Sequence, residues 1–230
     1  MLSIPTVSTS QACDSATGVC VAFSIPITPQ KTSDTADIFA TFQAPGSLGW
    51  VGFGFGENMI GSLSFVMWRD KNDVVTSCRY ALYCRPHNFR PKIDDVFFSS
   101  HLQPEVYPGP SVLVLSSNIT STAFIATLQL KNVTRWKDNG KLDIESSAAG
   151  IVWALGASPP DNPSNPSSNF QQHKAMGVFW VDMKSAQADS GLPAAPSITG
   201  DKILNKAGIG LTHRDKVPHR VVKEKGVDDS

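Results

Sequence analysis

Short runs rich in β-branched and aromatic residues recur along the chain, and clusters of Gly, Pro, Asn, Asp and Ser separate them. This pattern predicts strands over 18–27, 36–43, 49–55, 63–69, 74–80, 112–117, 123–130, 151–155 and 177–183. Turn signals fall between them at Ala44-Pro45-Gly46-Ser47, Asp70-Lys71-Asn72-Asp73, Pro108-Gly109-Pro110 and Asp138-Asn139-Gly140. No window carries a helical period of useful length. Many short strands at regular spacing predict an all-β fold, an antiparallel immunoglobulin-like β-sandwich. A Pro-, Asn- and Ser-rich stretch over 156–172 is too long for a tight hairpin and reads as a functional or mobile loop. One sandwich domain is expected over 1–190. The polar, charged remainder, 191–230, reads as a disordered tail.

Composition adds what is excluded. Formal net charge is zero over 230 residues and only 17% are charged, so there is no electrostatic footprint for nucleic acid or an anionic membrane. No run is long and apolar enough to cross a bilayer. The cysteines form two close pairs, Cys13/Cys20 and Cys78/Cys84, compatible with two local disulfides and an oxidising compartment. Sequons at Asn118 and Asn132 point the same way, towards a secreted glycoprotein. The first residues carry no signal peptide, so either a targeting segment has been removed or the protein is intracellular, and the first reading is favoured.

The run Gly49-Trp50-Val51-Gly52-Phe53-Gly54-Phe55-Gly56-Glu57-Asn58-Met59 alternates glycine with bulky apolar residues. Glycine within a strand marks close approach by something flat or by another backbone. Met59 is either core filler or a thioether offered to a soft metal. Much later comes Phe170-Gln171-Gln172-His173-Lys174-Ala175-Met176-Gly177-Val178-Phe179, with His173 at the loop's end before an apolar strand. No nucleophile elbow, zincin or Walker sequence is present, and no Cys-x-x-Cys-His haem attachment site.

The pairing of Gly-Trp-Val-Gly-x-Gly-x-Gly-x-x-Met with Phe-x-x-His-x-x-x-Gly-x-Phe resembles the cytochrome domain of fungal cellobiose dehydrogenase and related DOMON-type iron-reductase cytochromes. The likeness runs from about Cys13 to Ser190. It takes in Ser62 to Trp68, Trp153-Ala154-Leu155-Gly156 and Asp161-Asn162-Pro163-Ser164. It implies a non-covalent haem b in a pocket at one end of the sandwich, with Met59 and His173 as axial ligands. Trp50, Gly54, Phe55, Arg79, Tyr83 and Phe179 are then cofactor-binding candidates. Trp50, Phe53, Phe55, Phe65, Phe179 and Trp180 divide between pocket wall and sandwich core. Arg79 is either a haem-propionate partner or a solvated strand-end arginine. Met67 and Met176 read as packing residues, and His87, His101 and the Asp94-Asp95 doublet as surface groups.

The function so implied is that of a redox carrier rather than a substrate-turning enzyme, with ferric reduction as its accessible activity. Electrons would come from a flavin dehydrogenase domain or a membrane cytochrome b, and pass to ferric iron, a quinone or a copper oxygenase. The chain is expected to be a monomer. The competing reading is a haem-free DOMON binding module that holds a sugar or aromatic ligand on its Trp and Phe side chains.

Overall fold

The computed structural model describes residues 10–26, 37–71, 73–80, 104–120 and 122–188. The expected tail over 191–230 lies outside them, as do Tyr83, Cys84, His87, Asp94, Asp95 and His101.

Two six-stranded sheets face each other. The first contains β1 (Ser10–Asp14), β2 (Val19–Pro26), β3 (Ile38–Pro45), β9 (Ala123–Lys131) and β8 (Ser111–Ile119) in the order β1-β2-β3-β9-β8. Its sixth strand, β14 (Gln187–Ala188), pairs in parallel with the end of β2. The second sheet runs β13 (Ala175–Val181), β12 (Ala149–Gly156), β4 (Trp50–Phe55), β5 (Leu63–Asp70), β6 (Asp73–Tyr80), β7 (Glu105–Val106), antiparallel throughout. A two-stranded ribbon, β10 (Arg135–Trp136) with β11 (Gly140–Lys141), brackets a 3-10 turn at Lys137–Asn139. The expected antiparallel β-sandwich is what forms.

The period-2 alternation of side chains divides the second sheet into two faces. Val51, Phe53 and Phe55 of β4, Leu63, Phe65 and Met67 of β5, and Trp153 and Phe179 of β12 and β13 point between the sheets. There they meet Phe23 and Phe42 of the first sheet. Phe42 stacks on Phe53 with centroids 4.3 Å apart, and Phe23 meets Phe55 at 6.2 Å. Removing so many rings from water is the main stabilising term of the sandwich. The other residues of the same strands turn outward, and a second apolar cluster forms there from Trp50, Val66, Trp68 and Ala154.

This division places the candidate aromatics. Phe55 and Phe179 are core residues of the sandwich, on the opposite face of the sheet from Trp50. Phe53 and Phe65 are core as well, whereas Trp180 stands outward at 49% exposure.

Cys13 and Cys20 face each other across the β1–β2 pair and are bridged. Of the expected Cys78–Cys84 pair, Cys84 lies outside the described residues; Cys78 carries a thiol, half-buried against the main core. Burial pushes it up to about 12, against the opposing pull of the neighbouring Arg79 charge. Asn118 on β8 and Asn132 after β9 are both exposed.

Candidate outer-face site

The cross-strand register lays out the outer face in rows. Gly156, Trp50, Trp68 and Val75 make one row; Met176, Ala154, Gly52, Val66 and Ser77 make the next. A third row runs Val178, Val152, Gly54, Ser64 and Arg79.

Two loops close over these rows. The first joins β4 to β5 and carries Met59. Gly56 and Gly61 take positive φ (123° and 78°), which bends the chain on either side of Met59 at little steric cost. Ser62 Oγ donates to the Met59 carbonyl at 2.8 Å, and Trp136 Nε1 donates to the Gly61 carbonyl at 2.9 Å from the other side of the turn. Met59, so held, packs half-buried against the outer cluster of Trp50, Val66, Trp68 and Ala154.

The second loop joins β12 to β13 and carries Phe170 and His173. Phe170 lies on the same cluster, its ring centroid 4.7 Å from that of Trp50. His173 is half-buried at the loop's end, where the Lys174 amide donates to the Leu155 carbonyl at 2.8 Å as β13 begins. The loop, expected to be functional or mobile, makes several hydrogen bonds to the sheet and within itself. Trp68 Nε1 donates to the Pro163 carbonyl at 2.7 Å, Ser164 Oγ to Asp70 at 2.7 Å, and the Asn162 amide to Ser168 Oγ at 2.8 Å.

Arg79 holds this loop most firmly. The residue is 3% exposed, and its guanidinium donates to the carbonyls of Pro166 (2.9 Å), Ser168 (2.8 Å) and Pro104 (3.3 Å) and to Ser77 Oγ (2.8 Å). It also lies 5.5 Å from the Phe170 ring centre. Arg79 is therefore not a solvated strand-end arginine.

The glycines admit close neighbours, as their pattern suggested, and the neighbours are the chain's own atoms. A Cβ on Gly156 would overlap the Trp50 indole, and one on Gly49 would overlap the Ser158 backbone. A Cβ on Gly54 would meet Ser62 and Ser64 Oγ at 2.7 Å. The flat group and the close backbone implied by these glycines thus belong to the chain itself. Gly54 is filled by hydroxyls, while at Gly52 a Cβ would find only ordinary contacts of 3.5 Å and beyond. Ser62, Ser64 and Trp136 were missed by sequence reasoning because single polar or aromatic residues carry no signal of a turn they will brace. Phe170 was visible in the motif, three positions before His173.

One feature of the site is unsatisfied. The Trp50 indole N–H is buried without an acceptor. Among the described residues no cluster of three or more His, Cys, Asp or Glu exists that would hold a metal by itself. The two loops do carry a thioether, Met59, and an imidazole, His173, which are donor types that an iron porphyrin takes.

Solved structures share this architecture. The cytochrome b domain of pyranose dehydrogenase from Coprinopsis cinerea superposes with a TM-score of 0.63 at 23% identity, over 77% of this chain and 83% of that one. The cytochrome domain of Myriococcum thermophilum cellobiose dehydrogenase gives 0.56 at 20% identity, over 80% of this chain and 92% of that one. The fold is that of a dehydrogenase-associated cytochrome domain. In sequence, a pyrroloquinoline quinone-dependent pyranose dehydrogenase of Coprinopsis cinerea is 25% identical over 153 residues. That match takes in 66% of this chain but 19% of the relative, so the chain spans about a fifth of the relative's length. Residues 6–190 match the family model for the cytochrome domain of cellobiose dehydrogenase, and the chain belongs to that family. Membership implies a haem-binding domain with an electron-transfer role.

Proposed function

We propose that this chain is a secreted haem b electron-transfer domain, with Met59 and His173 as the two axial ligands. The observation that carries the reading is that Met59 and the His173-bearing loop converge on one outer-face cluster. Met59 packs on Trp50, Val66, Trp68 and Ala154, and Phe170 of the second loop packs on the same residues. When bound, the haem supplies a reversible one-electron iron couple. Met59 would hold one axial position through a soft thioether, which favours the ferrous state and raises the potential. His173 would hold the other through a neutral imidazole. A chain that fills both positions leaves none for dioxygen or a substrate, which suits a carrier. The outer cluster would exclude water from one side, and the orphaned Trp50 N–H is available to an acceptor on the ligand.

The electron donor in this proposal is a flavin- or quinone-dependent dehydrogenase domain or a membrane cytochrome b. The acceptor is ferric iron, a quinone or a copper oxygenase. The bridged Cys13 and Cys20 and the exposed sequon asparagines Asn118 and Asn132 favour an oxidising, extracellular setting.

One observation favours the haem-free binding module instead: the spaces at Gly49, Gly54 and Gly156 are filled by the chain's own atoms. Reconstitution decides between them. The full chain supplemented with haem is expected to give a red protein with a six-coordinate low-spin spectrum. Met59→Ala and His173→Ala should each lose it. A colourless product favours the binding module, and variants with an unchanged reduced spectrum would sink the ligand assignment.

A further inference from the structure

Arg79 poses a question that a propionate partner would not answer. Burying a guanidinium costs several kcal/mol unless its donors are satisfied. Among the described residues, the ionisable group that acts on Arg79 is its neighbour Cys78, and burial, the larger influence, lowers its pKa. The compensation comes from acceptors other than carboxylates: three backbone carbonyls and one hydroxyl. These bonds occupy four of the five N–H groups of the fork. Two of the carbonyls, those of Pro166 and Ser168, belong to the loop that ends at His173. Phe170, in the same loop, is held between the guanidinium and Trp50.

We propose that Arg79 is the positioning residue for His173. Its planar fork turns the Pro166 and Ser168 carbonyls inward, and its face seats Phe170. The loop therefore reaches β13 with the imidazole fixed relative to the outer cluster. A lysine would keep the charge but lose the fork, because an ammonium presents its donors from one point and has no flat face. The role in ligation rests on the haem reading above; the clamp on the loop does not.

The test uses the full chain and two readouts. In the haem-free protein, hydrogen exchange is followed at the Asp161, Asn162, Asn165 and Ser168 amides, all bonded within the loop. Both Arg79→Lys and Arg79→Gln are expected to speed exchange roughly ten- to a hundredfold, with β3 and β9 amides unchanged. If β3 and β9 amides also accelerate, Phe170→Leu, which loosens the clamp from the loop side, is expected to reproduce the loop effect alone. Unchanged loop exchange in Arg79→Lys, or in Phe170→Leu where it is used, overturns the clamp. In the haem-loaded protein, Arg79→Lys is expected to show a high-spin fraction that free imidazole restores to low-spin, while the wild type ignores imidazole. A loosened loop with an unchanged spectrum overturns the positioning role. A wild-type chain that takes up no haem overturns the haem reading and with it the role in ligation, and the exchange result still decides the clamp.

Discussion

Trp50 and Trp68 sit opposite each other on β4 and β5, on one face, and both are buried. They differ in one respect: Trp68 Nε1 donates to Pro163 at 2.7 Å, whereas Trp50 Nε1 has no acceptor. Replacing either with phenylalanine removes a similar apolar area, worth about 1–2 kcal/mol with its cavity. At Trp68 the substitution also forfeits a hydrogen bond and strands a carbonyl, adding about 1 kcal/mol. At Trp50 it removes an unsatisfied donor, returning about 1–3 kcal/mol. Trp68→Phe should therefore cost about 2–3 kcal/mol, whereas Trp50→Phe should range from a cost of about 1 kcal/mol to a gain of about 2 kcal/mol. Urea unfolding of the two haem-free variants, with matched m-values, measures the difference directly. Equal costs, within about 0.5 kcal/mol, would refute the view that Trp50 holds an orphaned donor.

Two further outcomes follow from the cysteines. Replacing both Cys13 and Cys20 with serine should cost about 2 kcal/mol, the value for a short closed loop, and addition of reductant to the wild type should reproduce that shift in the urea midpoint. Cys78 is raised from 9.0 to about 12, so the folded state keeps a proton that the unfolded state has lost between those values. Its contribution is complete below pH 9 and declines as pH rises towards 12. Tyr80, raised from 10.0 to about 12 by burial and then by its 2.7 Å bond to Asp138, acts in the same direction at higher pH. Thermal midpoints should thus fall above pH 9, and Cys78→Ala should flatten the fall between about pH 9 and 10; an equal slope in the variant would contradict the burial of the thiol.

The long strands were legible because each carries an apolar run or an alternation strong enough to mark its own ends. β1 was not: Ser-Gln-Ala-Cys-Asp is nearly polar, and it becomes a strand by pairing with β2 and by the Cys13–Cys20 bridge. The two-residue strands β7, β10, β11 and β14 exist only through tertiary pairing, which no local pattern records. At the site, the two segments that carry Met59 and His173 were visible as motifs. Neither the atoms around Gly54 nor the inward packing of Phe55 and Phe179 was legible, because glycine in a strand says that something lies close without saying whose atoms they are. Parity held a clue: Phe55 is an odd number of residues from Trp50, so it had to face the other way. Arg79's partners are backbone carbonyls of a distant loop, and carbonyls have no sequence identity to read.

The same parity has a consequence for how β4 tolerates change. Its odd-numbered residues Val51, Phe53 and Phe55 hold the two sheets together, while even-numbered Trp50, Gly52 and Gly54 face the outer loops. Point substitutions therefore separate into those that loosen the sandwich and those that reshape the site. An insertion or deletion of one residue within β4 has no such choice. It would drive Phe53 out under Met59 and bring a glycine into the stack with Phe42, so a single slip would cost the fold and the site together. In β4, length is constrained more tightly than composition.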